Sequence, residues 1–169
     1  MQVYSEMELF KDFELLVGVE GGEIIFSHHF RSNEEREAII GYERRYFPQL
    51  KKGGKEMENL FKELIDYKKG KDVDPSQFKV KFSRGTEFEK RVWKTLKRTK
   101  KGDLITYKKL GELAGYQDAQ RAVGNTMRKN YLIIFVPCHR VIGNDKKIGG
   151  FSAGIENKKM LLRIENNEL

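Results

Sequence analysis

The sequence predicts an α+β protein in two parts, a small mixed unit followed by a mainly helical one that carries a helix-turn-helix. Three observations carry this. Paired glycines between two apolar runs mark a hairpin near the N-terminus, and capping residues open helices on both sides of a polar, turn-rich stretch at residues 70–75. The charge also divides: residues 1–78 hold 12 Lys/Arg against 16 Asp/Glu, net −4, and residues 79–169 hold 21 against 9, net +12.

In the first part, Leu15-Leu16-Val17-Gly18-Val19 and Ile24-Ile25-Phe26 flank Gly21-Gly22, a pair suited to a tight turn with positive φ. Ser32 with Glu35 forms a capping-box pattern opening a helix that runs to about Tyr46, before Pro48. A second helix is expected from Lys55 to Lys69, with Leu60, Phe61, Leu64 and Ile65 on its inner face. Residues 70–75 form the linker, which divides the chain into one domain at 1–76 and a second at 77–169. Phe78, Val80 and Phe82 alternate as in a short strand. His28 and His29 point to opposite strand faces and have no Cys or acidic partner at ligand spacing, so nothing suggests a metal.

The second part opens with Thr86 and Glu89, another capping box, followed by Phe88, Val92, Trp93 and Leu96 at helical spacing up to Gly102. Thr106 begins a short helix with Leu110, Leu113 and Ala114 inside, stopped by Gly115. Asp118 can cap the next helix, from Ala119 to about Lys129, packed through Val123 and Met127. That helix is slim on one flank, with Ala119, Ala122 and Gly124, and it carries Arg121 and Arg128. Small residues let a helix approach a nucleic-acid backbone closely, and Arg can reach phosphates or enter a gap in the base stack. The same slimness would serve packing against another protein element. The basic half equally fits a polyanion-binding surface or a solvated Lys-rich face of the kind thermophile proteins carry.

Hydrophobic residues make up 38% of the chain, enough for a packed interior rather than a disordered chain. No apolar run approaches the roughly 20 residues that span a bilayer. The stretch Met1 to Phe10 has acidic residues where a signal peptide carries basic ones. The expectation is a soluble, cytoplasmic monomer with no cofactor and no metal. A single cysteine excludes an intrachain disulfide and a multi-cysteine zinc cage, and by itself it reads equally as a buried small hydrophobe.

That cysteine sits in telling company. The apolar run Tyr131-Leu132-Ile133-Ile134-Phe135-Val136 has strand-like length and leads into Pro137-Cys138-His139-Arg140-Val141. A thiol at the end of a buried strand lies at the edge of the core, where a pocket can form. A free thiol is only slightly ionised at neutral pH, and an adjacent imidazole is a plausible base for it. Neighbouring side chains on a strand diverge, so a bridging water suits the pair better than direct contact.

These residues resemble the O6-alkylguanine-DNA alkyltransferase family (methylated-DNA–protein-cysteine methyltransferases) over roughly Thr86 to Glu165. Pro137-Cys138-His139-Arg140-Val141 matches the family's active-site signature, Arg121-Ala122-Val123-Gly124 its recognition helix, and Thr106-Tyr107 the start of the preceding helix. The resemblance implies an RNase H-like N-terminal sheet with helices, without nuclease activity, and a winged-helix-like C-terminal domain that enters the minor groove of alkylated double-stranded DNA. It implies a single-turnover transfer of a methyl or larger alkyl group from O6 of guanine, and from O4 of thymine, after the base is flipped out. Cys138 is then the nucleophile, His139 the water-mediated base, Glu165 the group that orients His139, and Asn130 the hinge between recognition helix and active-site strand. Arg121 is implied as the finger filling the space of the flipped nucleotide. Tyr107 is implied beside the target phosphate, with Lys108 next to the backbone, and Ala119, Ala122 and Gly124 against the DNA. Gly150, Phe151, Ser152 and Val141 surround the guanine, with Ser152 bonding O6, while Phe151 stands where many members have Tyr and carries no hydroxyl. Lys158 matches a lysine of the family pattern to which no role is attached.

The chemistry suits the residues. Displacing guanine from an alkyl carbon needs a soft nucleophile and a donor to the departing base, which a thiolate and hydroxyl or backbone N–H groups supply. The thioether product cannot be hydrolysed, so one protein repairs one lesion, and the added methyl strains a close-packed site. Three rivals remain at the level of sequence: a lesion binder without transfer activity, a Cys-His hydrolase, and a DNA-binding regulator in which Cys138 is inert core.

Overall fold

The computed structural model describes residues 1–145 and 147–167. The chain folds as two units, one of Met1–Val73, Phe78–Ser83 and Tyr131–Ile133, the other of Asp74–Gln77, Arg84–Asn130 and Ile134–Leu169. Where the sequence expects a single boundary between 76 and 77, segments of the two units alternate along the chain.

The first unit is a four-stranded sheet with two helices. β1 (Gln2–Phe10), β2 (Phe13–Glu20) and β3 (Glu23–Phe30) form an antiparallel meander, and β4 (Lys51–Lys52) adds in parallel beside β1, giving the order β3-β2-β1-β4. The β2–β3 hairpin turns at Gly21 and Gly22 with φ of 58° and 83°, as their pairing predicts. No expected element covers β1, whose interior of Tyr4, Ser5, Glu6 and Met7 is half-buried and gives no clean apolar alternation. Gly18 on β2 leaves room for the ring of Phe26, which a Cβ at that position would overlap.

α1 (Asn33–Glu43) packs on β3 and α2 (Lys55–Lys68) on β1. Ser32 Oγ accepts the Glu35 N–H, but the Glu35 carboxylate accepts from Arg31 N–H rather than from Ser32, so the box is one residue off. α2 turns inward the expected face except at Ile65. Met57, Leu64 and Tyr67 are buried, Leu60 and Phe61 are half-buried, and Ile65 is 40% exposed. Residues 78–82 make no strand. Val80 forms an isolated parallel bridge with Ile24, held by Ile24 N–H to Lys79 O and Lys81 N–H to Ile24 O.

The second unit is built on α3 (Glu87–Leu96), α4 (Tyr107–Leu113) and α5 (Gln120–Arg128), which pack on one another, with α6 (Ile155–Ile164) behind. The Thr86–Glu89 capping box is complete in both directions. α3 ends at Leu96 rather than at Gly102, and Gly102 (φ 90°) sits in the turn that follows. Thr106 caps α4 as expected. A Gly115 in the left-handed region (φ 89°) ends it, with Tyr116 N–H reaching Gly111 O. Leu113 is 58% exposed, and the close approach of α4 to α5 falls instead at Gly111, where a Cβ would lie 3.4 Å from Val123. Asp118 does not cap α5: it is itself left-handed (φ 52°), and Ala119 takes the cap position with no side-chain bond. Val123 and Met127 are buried as expected.

The run Tyr131–Val136 is wholly buried but is not a strand. Tyr131 O and Ile133 N–H both bond Ser27, giving one bridge to β3, after which Ile134 turns left-handed (φ 74°). Its apolarity reflects burial, which irregular backbone can share once its polar groups are paired.

Candidate active site

The second unit places the cysteine by a sequence of short turns. Pro137 (φ −80°, ψ 65°) is the centre of an inverse γ-turn in which Cys138 N–H bonds Val136 O at 2.8 Å. Cys138–Arg140 then forms a 3₁₀ turn, so Cys138 and His139 lie on a turn rather than on a strand. β6 (Val141–Ile142) pairs in parallel with β5 (Ile105–Thr106), and this brings Tyr107, the first residue of α4, to the cysteine loop. α6 packs against the 3₁₀ turn and ends in a Schellman motif, with Asn166 left-handed (φ 64°) and Asn167 N–H on Leu162 O at 2.8 Å. That ending seats Glu165.

Cys138 is 5% exposed and lies in the wall of a cavity of about 760 Å³, which Tyr107, Arg121, Gly124, Gly150, Phe151 and Ser152 also line. Arg128, which the sequence singles out beside Arg121, also lines it, and Gln120, Asn125, Met127, Asn144 and Gly149, to which the sequence attaches no role in the site, complete it. Lys108, Ala119, Ala122 and Val141 lie outside its lining. Lys108 and Ala122 are solvent-exposed, and Val141 is fully buried. Gly149 (φ 67°) lets the loop pass close to Tyr107, whose hydroxyl would lie 3.3 Å from a Cβ there. Burial and the neighbouring Cys138 raise the Tyr107 phenol above its ordinary pKa.

Asn130, just beyond α5, donates from Nδ2 to Val136 O at 2.9 Å and to Cys138 Sγ at 3.1 Å. One amide thereby ties the end of α5 to the thiol. Burial pushes the thiol above its ordinary pKa and outweighs the opposing effects of Asn130 and the charge on Lys158. The resting group is a protonated thiol.

His139 is the next residue of the same 3₁₀ turn. Its Nε2 is 2.9 Å from Glu165 Oε1. Burial holds the ring's pKa below its ordinary value, against the pull of Glu165. Glu165 is a carboxylate: burial raises its pKa, but His139 and Arg140 together take it well below the usual range. A carboxylate only accepts, so the imidazole proton sits on Nε2 and Nδ1 keeps its lone pair. Nδ1 is buried with no hydrogen-bond partner among the described residues. Phe151 meets the imidazole edge-on at 6.5 Å.

Two further side chains complete the site. Lys158, fully buried on α6, donates from Nζ to Val141 O at 2.6 Å and to Gly150 O at 3.4 Å, so it staples the cavity loop to the strand after Cys138. Burial lowers its pKa to about 8. Arg140, also fully buried, grips both oxygens of Glu165 through Nε and Nη2 at 2.8 and 2.9 Å. Its presence in the motif signals importance, but its contacts come from residues far away in the chain. No group of three or more His, Cys, Asp or Glu that could hold a metal occurs among the described residues. No helix among them is long and apolar enough to cross a membrane.

Residues 87–167 match the family model described as 6-O-methylguanine DNA methyltransferase, DNA binding domain. The chain is 36% identical over 108 residues to a methylated-DNA–protein-cysteine methyltransferase of Metallosphaera sedula, covering 64% of this chain and 67% of that one. It is 39% identical over 109 residues to the protein of the same name from Kluyveromyces lactis, covering 64% of this chain but 58% of the relative. The chain thus spans between about half and two thirds of the curated relatives it matches. Among solved structures, Mycobacterium tuberculosis OGT in complex with DNA superposes with a TM-score of 0.79 at 25% identity, over 96% of this chain and 92% of that one.

Proposed function

The chain belongs to the 6-O-methylguanine DNA methyltransferase family, and from that premise we propose that it repairs alkylated double-stranded DNA by moving the alkyl group from guanine O6 onto Cys138. The observation that carries this reading is a buried thiol, in contact with Asn130, in the wall of a cavity that the recognition helix also lines. The base enters that cavity only if it leaves the duplex stack, so the reaction proceeds by base flipping. O4-alkylthymine is a second substrate by the same chemistry.

His139 Nδ1 takes the thiol proton through one water, the S–C bond forms, and the C–O6 bond breaks. The electron pair stays on the purine, which recovers the proton as ordinary guanine. Ser152 and loop N–H groups stabilise the departing oxygen. The product is a thioether, so each protein acts once, and the added methyl in a 5%-exposed site makes the spent form less stable. Tyr107, Lys108, Ala119, Ala122 and Gly124 face the DNA and Arg121 fills the vacated space. The protein acts as a cytoplasmic monomer without cofactor.

The finer fold assignment supports this division of labour. An antiparallel meander with a parallel strand beside β1 is read as an RNase H-like support, and the α3–α5 helices with the β5–β6 pair as winged-helix-like.

Intact-protein mass spectrometry after mixing with a duplex containing one O6-methylguanine tests the proposal. One methyl in place of one hydrogen, in stoichiometric yield and mapped to Cys138, is expected; an unchanged mass on folded, reduced protein refutes transfer. Arg121→Ala should slow repair in duplex DNA by about tenfold or more while leaving reaction with free O6-benzylguanine nearly unchanged, since Arg121 is exposed and acts on the DNA. Equal losses on the two substrates would remove the finger assignment.

A further inference from the structure

We propose that Asp74 is a positioning residue for the transfer reaction: acting through Arg140, it holds Glu165 in the orientation that keeps the Nδ1 lone pair of His139 free. The inference rests on the assignment of Cys138 as nucleophile and His139 as base. Asp74 lies before residues 87–167, outside the stretch that matches the family model.

Asp74 precedes the 3₁₀ turn Pro75–Gln77. Oδ1 accepts from Ser76 N–H at 3.0 Å and from Arg140 Nη2 at 2.8 Å, while Oδ2 accepts from Lys101 N–H at 2.7 Å. On the other edge of the guanidinium, Nη1 donates to Thr99 O at 2.8 Å and to Ser76 Oγ at 3.2 Å. The fork is planar and rigid, so fixing these edges fixes where Nε and Nη2 point. They point at Glu165. Oε2 receives Arg140 Nε and the Gly102 N–H at 3.3 Å, while Oε1 receives Arg140 Nη2 and His139 Nε2. A carboxylate held by four donors cannot rotate, and the imidazole it bonds is held with it.

The charges point the same way. Among the described residues, the charged groups facing His139 are Lys158 from α6, Glu165 at the end of that helix and Arg140 from its own turn. As Cys138 gives up its proton, His139 becomes an imidazolium between two cations and one carboxylate. Asp74 offsets Arg140 and so removes much of the repulsion that would oppose that proton transfer. Burial resists ionisation of Asp74, but Arg140 and Ser76 keep its carboxyl below the ordinary range, and it is an anion at neutral pH.

The test is single-turnover methyl transfer from an O6-methylguanine duplex to wild type and Asp74→Asn across pH, normalised to the reactive fraction. Asparagine preserves the volume and removes the charge. The saturating rate constant should fall about tenfold, part of the roughly hundredfold or more that a placed base supplies, with the half-saturating duplex concentration unchanged. The acid limb of the profile should move to lower pH, because an Arg140 without its second anion makes His139 harder to protonate. An unchanged rate constant and limb, with only thermal stability lowered, would make Asp74 a structural tie and overturn the proposal. A wild type that gains no methyl would instead overturn the transfer reading. A second measurement does not depend on the variant: nitrogen NMR of wild-type His139 should show Nε2 protonated and Nδ1 bare at neutral pH. The opposite tautomer, or a mixture, would also overturn it.

Discussion

Cys138→Ser is expected to abolish alkyl transfer while leaving lesion-containing DNA bound as tightly as by wild type. Oxygen replaces sulfur at the same position, so the Asn130 amide keeps an acceptor at the place where it now meets Sγ at 3.1 Å. What changes is the nucleophile. Even a thiol raised by burial stays far more acidic than a serine hydroxyl, whose oxygen is also a hard nucleophile for an alkyl carbon. The rate should drop by at least about a thousandfold, or about 4 kcal/mol in the barrier. Mass spectrometry after prolonged incubation reads the transfer, and a lesion-binding titration on the same sample reads the recognition. Methyl gain by the serine variant would show that another residue accepts the group. Loss of binding along with transfer would show that the site had collapsed.

Arg140→Met is the largest expected loss of stability, about 3–5 kcal/mol at neutral pH. The side chain is fully buried and bonded to Glu165, Asp74, Ser76 and Thr99. Methionine fills much of the volume but leaves two carboxylates without their cation, Glu165 among them fully buried at its side chain. The sign of the pH dependence follows from the same groups. Both carboxyls have folded-state pKa values below their ordinary ones. Their stabilisation in wild type is therefore fully present above the unfolded carboxyl range, near pH 4, and is lost as pH falls through the folded values. In the variant the buried acids have lost the cation that kept them ionised, so low pH relieves them by protonation. Urea denaturation at pH 7 and at about pH 4 should find the wild-type-to-variant gap narrowing as pH falls. A gap independent of pH would mean that packing rather than charge sets the cost.

The elements most legible in the sequence are those enforced by neighbours. The Gly21-Gly22 hairpin, the Ser32, Thr86 and Thr106 caps, the Gly115 stop and the buried Val123 and Met127 stand where local chemistry puts them. Asp118 failed as a cap because the backbone is left-handed at that residue, a conformation that its side chain tolerates but does not announce. Leu113 and Ile65 are exposed although each falls on an apolar stripe, since helical periodicity marks a face without saying how wide a strip the neighbouring elements cover.

The same division runs through the site. The cysteine, its flanking proline, histidine and arginine, and the slim helix with Arg121 are contiguous motifs, and they determined by themselves which chemistry to look for. The tertiary structure decided how the groups act: that Cys138 rests on a turn, that Asn130 touches its sulfur, and that Arg140 draws Glu165 and Asp74, 25 and 66 residues away, onto one guanidinium. Caps and turns are closed by groups a few residues apart, so composition and spacing encode them. A buried ion network is closed only where packing removes water and brings its charged groups together, and that condition belongs to the folded chain.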